Sequence, residues 1–379
     1  RKHDTISRNG GDEFVIVLEK LRNHNEAVYV AKKVINELTQ PFVIHSHKIH
    51  IGASIGISVY PFDGDSPMIL LRNADTAMYR AKQEGGNILH FYDASMSNQL
   101  RNRLELENEL HAALKNDEFY MVYQPQISSK TETLRGIESL LRWNNGKHGE
   151  VPPDRFIPLL EETGLIYSVG EWAVREVIDF VSRMPDKNIC VSINLSVLQC
   201  SSFEFIDFLK REINRTGVSP AMLEFEITES LLVKDFNTTR HFLEELHELG
   251  CTIALDDFGT GYTSMTYLAR LPIDIVKIDK SFIRGIDDRG SNLETLVKAI
   301  VNMSTSLGMD NVFEGVETAG ELEKIKSIGG DIIQGYLFSK PLKEAEIRAW
   351  IDRDIREKTI TDNTGTNNIS GSIYTFPKS

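Results

Sequence analysis

From Glu118 onward the chain repeats one pattern: a short apolar run, a polar turn, then a stretch with apolar residues at helical spacing. Eight runs read as strands: 120–126, 134–141, 189–195, 223–228, 252–256, 273–278, 312–317 and 332–338. Helical runs lie between the later ones. In 239–249, Phe242, Leu246 and Leu249 share one face and Gly250 supplies the stop. Alternation of this kind over roughly 235 residues predicts an α/β fold, a (β/α)8 TIM-like barrel. One spacing departs from that plan. Only about seven residues separate the first two strands, and a parallel crossover needs a dozen or more. Strand 121–126 is therefore expected to run antiparallel to strand 134–141.

Most of these strands carry a polar residue at or near the C-terminal end, the rim where such barrels place their active sites. They are Glu138, Asn194, Glu226, Asp256, Asp257, Lys277, Glu314, Glu317 and Gln334. Each alone could be a strand-end residue bonded to a neighbouring loop; the whole set on one rim reads as a site. Adjacent carboxylates such as Asp256 and Asp257 repel one another and disfavour the charged state. Glu138, Glu226, Asp256, Asp257 and Glu314 would gather near one axis, and Lys277 cannot neutralise them all. Divalent cations can. The donors are oxygen, with Asn194 offering an amide oxygen and no His or Cys in the set, which favours Mg2+ or Mn2+ over Zn2+. Asp256 is placed to bridge two ions. Two ions on such a rim suit in-line hydrolysis of a phosphoester. The glycine loop Gly259-Thr260-Gly261 follows the aspartates, and Glu229, three residues after Glu226, is placed to anchor it.

Residues 1–93 form a separate α+β block. Strand 13–18 is entered through the hairpin signal Asn9-Gly10-Gly11. Helices are expected at 25–38 and 67–83, the second stopping at Gly85-Gly86, with strands at 47–59 and 88–92. Residues 94–115, with Leu100, Leu104, Leu106, Leu110 and Leu114, read as a helical linker and barrel entry, or else as a coiled-coil contact between chains. The barrel is expected to span 116–352. Residues 353–379 are expected to be a flexible tail, rich in Thr, Asn, Ser and Gly from 359 onward.

A net charge of -13 without a Lys/Arg cluster argues against a nucleic acid polymer as partner. Cys190, Cys200 and Cys251 are odd in number and widely spaced, which reads as free thiols in a reducing, cytoplasmic compartment. No apolar run approaches the ~18 residues of a membrane span, and no signal peptide is visible. The chain starts at Arg1 rather than Met, so it reads as a piece whose targeting or anchoring elements lie upstream.

Over about residues 103 to 352 these motifs resemble the EAL family of cyclic di-GMP phosphodiesterases. The signature tripeptide reads Glu138-Ser139-Leu140, with Ser in place of the middle Ala, and the chain continues with YQPQI, LLRW, FIPLLEETGLI, NLS, EITES, DDFGTGYTS, KIDKSFI, EGVET and QGYLFSKPL. The resemblance implies that Glu138, Asn194, Glu226 and Asp256 hold one metal ion and that Asp256, Asp257 and Glu314 hold a second. It implies that Lys277 orients the attacking water, that Glu317 and Gln334 support the metal shell, and that Arg142 contacts a substrate phosphate. It further implies that Glu229 holds the DDFGTGYTS loop near a homodimer contact, and that the product is linear pGpG.

The N-terminal block resembles the diguanylate cyclase family, with its signature intact as Gly10-Gly11-Asp12-Glu13-Phe14. Arg1 and Asp4 match an R-x-x-D inhibitory site for cyclic di-GMP. The first half of that family's domain is missing, so the resemblance implies GTP binding or synthesis only in a full-length protein. Absent strand and helices would leave apolar surface exposed. Three other readings stand beside hydrolysis: a cyclic di-GMP receptor without turnover, a cyclase with a regulatory barrel, and a barrel enzyme acting on an unrelated phosphorylated substrate. Retention of Glu138, Asp256, Asp257, Lys277 and Glu314 argues against a receptor, since binding alone needs no hydroxide generator.

Overall fold

A computed structural model of the chain describes residues 3–21, 23–45, 47–229, 236–259, 268–288 and 292–364. The chain divides into two units, residues 1–108 and 109–379. In the first, β1 (Thr5–Gly10) and β2 (Glu13–Val17) form the expected antiparallel hairpin. Its turn places Gly11 at φ 51, a conformation that glycine adopts without steric cost. Helix α1 (His24–Thr39) starts at Asn23, whose side chain accepts from Glu26 N, and buries Ala27, Ala31 and Ile35. Helix α2 (Pro67–Gln83) stops ahead of Gly85 and Gly86 as expected.

The expected strand 47–59 is not continuous. β3 (Phe42–Ile44) turns at His45, φ 47, into β4 (His47–Ile49), and β5 (Ile55–Ile57) pairs instead with β6 (Leu89–Phe91) in parallel. Apolar residues of the first hairpin lie bare, Ile6 70% and Phe14 62% exposed. Helix α3 (Ala94–Ala113) runs from the first unit into the second.

Among the described residues of the second unit, eight strands close a barrel. β7 (Phe119–Ser128) pairs antiparallel with β8 (Leu134–Asn145), which is extended by β9 (Gly149–Val151). β8 runs parallel to β10 (Cys190–Asn194). Then follow, all parallel, β11 (Leu223–Thr228), β12 (Thr252–Phe258), β13 (Ile275–Ile278), β14 (Asp310–Phe313) and β15 (Ile332–Ile333). β15 closes the ring antiparallel to β7, so the first strand runs against both of its neighbours, as the short first connection required.

Two strands stop several residues before their expected ends. β14 ends before Gly315, whose φ is 68. After β15 the chain turns, Phe338 N and Ser339 N both donating to Gly335 O. A Cβ at Gly335 would lie 2.1 Å from Val316 O, so only glycine permits that crossing.

Outside the barrel stand α4 (Pro153–Thr163), α5 (Ile166–Ser182), α6 (Phe203–Thr216), α7 (Phe236–Glu248), α8 (Leu293–Ser306), α9 (Ala319–Ser327) and α10 (Glu344–Thr364). The last helix continues past Ile351, where apolar spacing ends, so the expected tail is helical as far as Thr364. Ile193, Phe225, Leu255 and Val276 pack against Leu209, Phe242 and Leu246 in the main core, each burial worth about 1.5–3 kcal/mol.

Side chains alternate along a strand. Ala254, Ile275, Val312 and Ile332 therefore turn away from that core and form their own buried cluster inside the ring. Two residues further along the chain in each case come Asp256 and Lys277, still on their strands, and Glu314 and Gln334, just past the ends of theirs. An apolar plug thus underlies a charged layer.

Candidate active site

Lys277 is the centre of that layer. Its side chain is 0% exposed, and Nζ lies 2.6 Å from Glu226 Oε2, 2.7 Å from Glu314 Oε1, 3.4 Å from Asp256 Oδ1 and 3.5 Å from Glu138 Oε1. Glu138, Glu226 and Gln334 are buried, Asp256 and Glu314 half-buried, and Asn194 and Asp257 exposed, so the layer opens to solvent on one side. Asn194 Nδ2 donates to Glu138 Oε1 at 3.0 Å, and Gln334 Nε2 donates to Glu138 Oε2.

Adjacent residues of a regular strand face opposite ways, which would separate Asp256 from Asp257. Here the β12–β13 register shifts between Leu255 and Phe258, and Asp257 adopts φ 54. A bulge of this kind re-aims a side chain at the cost of local strain. Asp257 N donates to Asp256 Oδ1 at 2.9 Å. Asp256, Asp257 and Glu314 then each bring a carboxylate oxygen within 4.8 Å of one another.

Charge in this layer is strongly perturbed. Burial opposes the charge on Lys277, yet Asp256, Glu138, Glu226 and Glu314 raise its pKa well above the usual lysine range. Burial, then the Glu138 charge, pushes Glu226 far above the usual carboxylate range against the pull of Lys277. Burial and the Asp256 and Glu138 charges push Glu314 up to about 8, with Lys277 opposing. Burial and Asp256 raise Asp257. Glu138 goes the other way: burial disfavours its charge, but Lys277 and the Gln334 and Asn194 amides hold it below the ordinary value. The layer thus gathers several acids whose charge burial and mutual repulsion disfavour and one ammonium only partly offsets.

A divalent cation fits these residues. Glu226 Oε1 is buried with no hydrogen-bond partner among the described residues. The converging groups offer oxygen donors, the preference of Mg2+ and Mn2+.

Other expected site residues fall at the edge. Arg142, half-buried four residues beyond Glu138 on β8, donates Nη1 to Leu141 O at 2.9 Å. Glu229 Oε2 accepts from Gly259 N at 3.2 Å, and a Cβ at Gly259 would meet the Phe282 ring at 2.9 Å. The rest of the glycine loop, 260–264, lies outside the described residues. Glu317 is not brought to Lys277 by any hydrogen bond; it is exposed and pairs with Arg284 at 3.1 Å.

In the first unit Gly10, Gly11, Asp12, Glu13 and Phe14 make the β1–β2 turn, where Arg8 donates Nη2 to Gly11 O at 2.6 Å and lies over the Phe14 ring. Asp4 precedes β1, and Arg1 lies outside the described residues. Sequence reasoning assigned nothing to Gln124 and Gln126, which are buried beside Gln334. Two polar residues at i and i+2 inside an apolar strand were the available signal.

A family model described as the EAL domain matches residues 107–341, and one described as the diguanylate cyclase GGDEF domain matches residues 1–88. The bifunctional diguanylate cyclase/cyclic di-GMP phosphodiesterase MucR of Pseudomonas aeruginosa is 37% identical over 92% of this chain and 51% of its own length. The cyclic di-GMP phosphodiesterase PdeR of Escherichia coli is 33% identical over 94% of this chain and 54% of its own. The chain therefore spans about half the length of these relatives. Among solved structures, the PaMucR phosphodiesterase in complex with c-di-GMP superposes with a TM-score of 0.61 at 34% identity, covering 64% of this chain and 99% of that one. An EAL domain protein from Listeria monocytogenes gives 0.59 at 29% identity, covering 65% and 97%.

Proposed function

The chain belongs to the EAL domain family, and on that premise we propose that its barrel hydrolyses cyclic di-GMP to linear pGpG with two divalent cations, Mg2+ or Mn2+. The observation that carries this reading is the convergence of Glu138, Glu226, Asp256 and Glu314 on Lys277, with Asp257 turned toward Asp256 and Glu314 by the β12 bulge. Gathering buried acids is costly, and a site that only bound an anion would gain nothing from it. The names of MucR and PdeR support cyclic di-GMP as the substrate.

Glu138, Asn194, Glu226 and Asp256 would hold the first ion; Asp256, Asp257 and Glu314 would hold the second. Bound there, such ions supply Lewis acidity at phosphoryl oxygens and acidify water. Lys277 keeps its charge because acids surround it; it orients the attacking water and steadies negative charge on the phosphate. Gln334 fixes Glu138 by donating to it. Glu317, held on Arg284, supports this layer from the rim. Arg142 pairs with a substrate phosphate, a role suited to its forked donors. Glu229 pins Gly259 and with it the start of the glycine loop.

The barrel domain spans 116–352 and is joined to the N-terminal block by 94–115. That block is regulatory, and binds GTP or makes cyclic di-GMP only in a full-length protein. Arg1 and Asp4 form its inhibitory cyclic di-GMP site. The protein works as a homodimer in the cytoplasm, where its buried thiols Cys190, Cys200 and Cys251 stay reduced.

The test is chromatography of nucleotides after incubating cyclic di-GMP with the chain and Mg2+ or Mn2+. The expected outcome is pGpG that disappears with EDTA and in Glu138→Ala. Cyclic di-GMP that binds yet stays intact with either metal would make the chain a receptor and end this reading.

A further inference from the structure

We propose that Gln124 and Gln126 are positioning residues that orient Glu138 through the Gln334 amide. This rests on the reading of Glu138 as a metal ligand. Gln334 donates Nε2 both to Glu138 Oε2 and, at 3.1 Å, to Gln124 Oε1. Its own Oε1 accepts from Gln126 Nε2 at 3.0 Å. Gln124 in turn donates Nε2 to Ser339 O at 3.0 Å. All three glutamines are buried, Gln124 7%, Gln126 3% and Gln334 4% exposed.

The direction of every amide in this chain follows from its ends. An ionised carboxylate and a backbone carbonyl only accept. Gln334 must therefore show its NH2 to Glu138, which turns its oxygen toward Gln126 and obliges Gln126 to donate. Gln124 must show its NH2 to Ser339, which leaves its oxygen for the second Gln334 N–H. Were the Gln334 amide reversed, its oxygen would face the carboxylate and Glu138 would be pushed off its place.

The fold makes room for this arrangement. Gln126 lies opposite Gly136 in the β7–β8 register, and a Cβ at Gly136 would sit 2.6 Å from Gln126 Oε1. Gln124 lies opposite Glu138 itself. The reversed first strand is what delivers both amides to β15, next to which it closes the barrel. Buried polar networks are stable only when every member is satisfied, which makes this one sensitive to the loss of a single donor.

The experiment measures Mn2+ affinity by calorimetry, kcat and KM for cyclic di-GMP, and Tm in EDTA, in the whole chain and in Gln126→Met and Gln124→Met. Partners that orient metal ligands typically contribute about 10–100-fold in affinity or activity. Both variants are expected to fold, to bind Mn2+ at least about tenfold more weakly, and to lose kcat with KM unchanged. A lower Tm with Mn2+ affinity within about twofold of the parent would reduce these residues to a structural role and overturn the proposal. If Gln126→Met does not fold, Gln124→Met decides alone. If the parent chain fails to hydrolyse cyclic di-GMP, the functional reading fails while the Mn2+ titration still decides this inference.

Discussion

Lys277→Met keeps the buried stem of the side chain and removes the ammonium that four carboxylates face at 2.6 to 3.5 Å. Removing one partner of a buried ion pair costs about 3–5 kcal/mol, because it leaves an uncompensated buried charge. Glu226 and Glu314 already have raised pKa values, so protonation absorbs part of that loss, and the lower end, about 3 kcal/mol, applies. For a unit of this size each kcal/mol corresponds to about 2–4 °C, so Tm in EDTA should fall by about 6–12 °C near pH 8.

The pH dependence has a definite sign. Without Lys277 the remaining acids have still higher folded pKa values. A carboxyl raised on folding contributes stability that is full below its unfolded pKa and is lost as pH rises through the folded one. The deficit should therefore widen with rising pH, and Mn2+ should narrow it by replacing the missing charge. Thermal unfolding of parent and variant at about pH 6 and about pH 8, with EDTA or Mn2+, reads all of this. A Tm difference under about 2 °C at the higher pH, or one that shrinks as pH rises, would refute the view that Lys277 holds these acids together.

Glu314 is pushed up to about 8, and a metal ligand must be ionised, so Mn2+ affinity should still be rising with pH through about 8, with calorimetric heats that depend on the buffer. Buffer-independent heats at pH 7 would contradict it. In the metal-free chain the same group stabilises fully below its ordinary 4.5, and that contribution fades as pH climbs through about 8. Ser139→Ala removes the bond from Ser139 Oγ to Ser192 O, 2.5 Å, and should cost about 1 kcal/mol in urea unfolding while hydrolysis stays within about twofold. Loss of turnover would show that Ser139 does more than tie β8 to β10. Gly259→Ala puts a Cβ 2.9 Å from Phe282 Cζ at a position with φ 96; kcat/KM should fall by about tenfold or more, with Tm lower by a few degrees from the strain. Unchanged kinetics would mean that this loop entry does not matter to the site.

The barrel was legible because its two signals are local: strand and helix alternation, and a first connection too short for a crossover. The antiparallel β7 follows from that spacing alone. The rim set was legible for the same reason, since period-2 alternation carries Asp256, Lys277, Glu314 and Gln334 one step beyond a buried plug. What a sequence does not contain is register between strands. Nothing in it says that Lys277 lies level with four acids, or that Gln124 and Gln126 meet Gln334 from across the closure. Backbone exceptions were hidden too. Asp256 and Asp257 read as neighbours on a strand end, and only the bulge with its positive φ explains how both turn to one place. The run IIQGYLF looks like a full strand, yet β15 stops at Ile333 because Gly335 must cross the backbone at Val316.

Anomalous diffraction at the manganese edge, from crystals grown with Mn2+, would show whether these residues hold two divalent ions with Asp256 a ligand of both. Two peaks are expected, one among Glu138, Asn194, Glu226 and Asp256, the other among Asp256, Asp257 and Glu314. A single peak, or peaks away from Asp256, would contradict this.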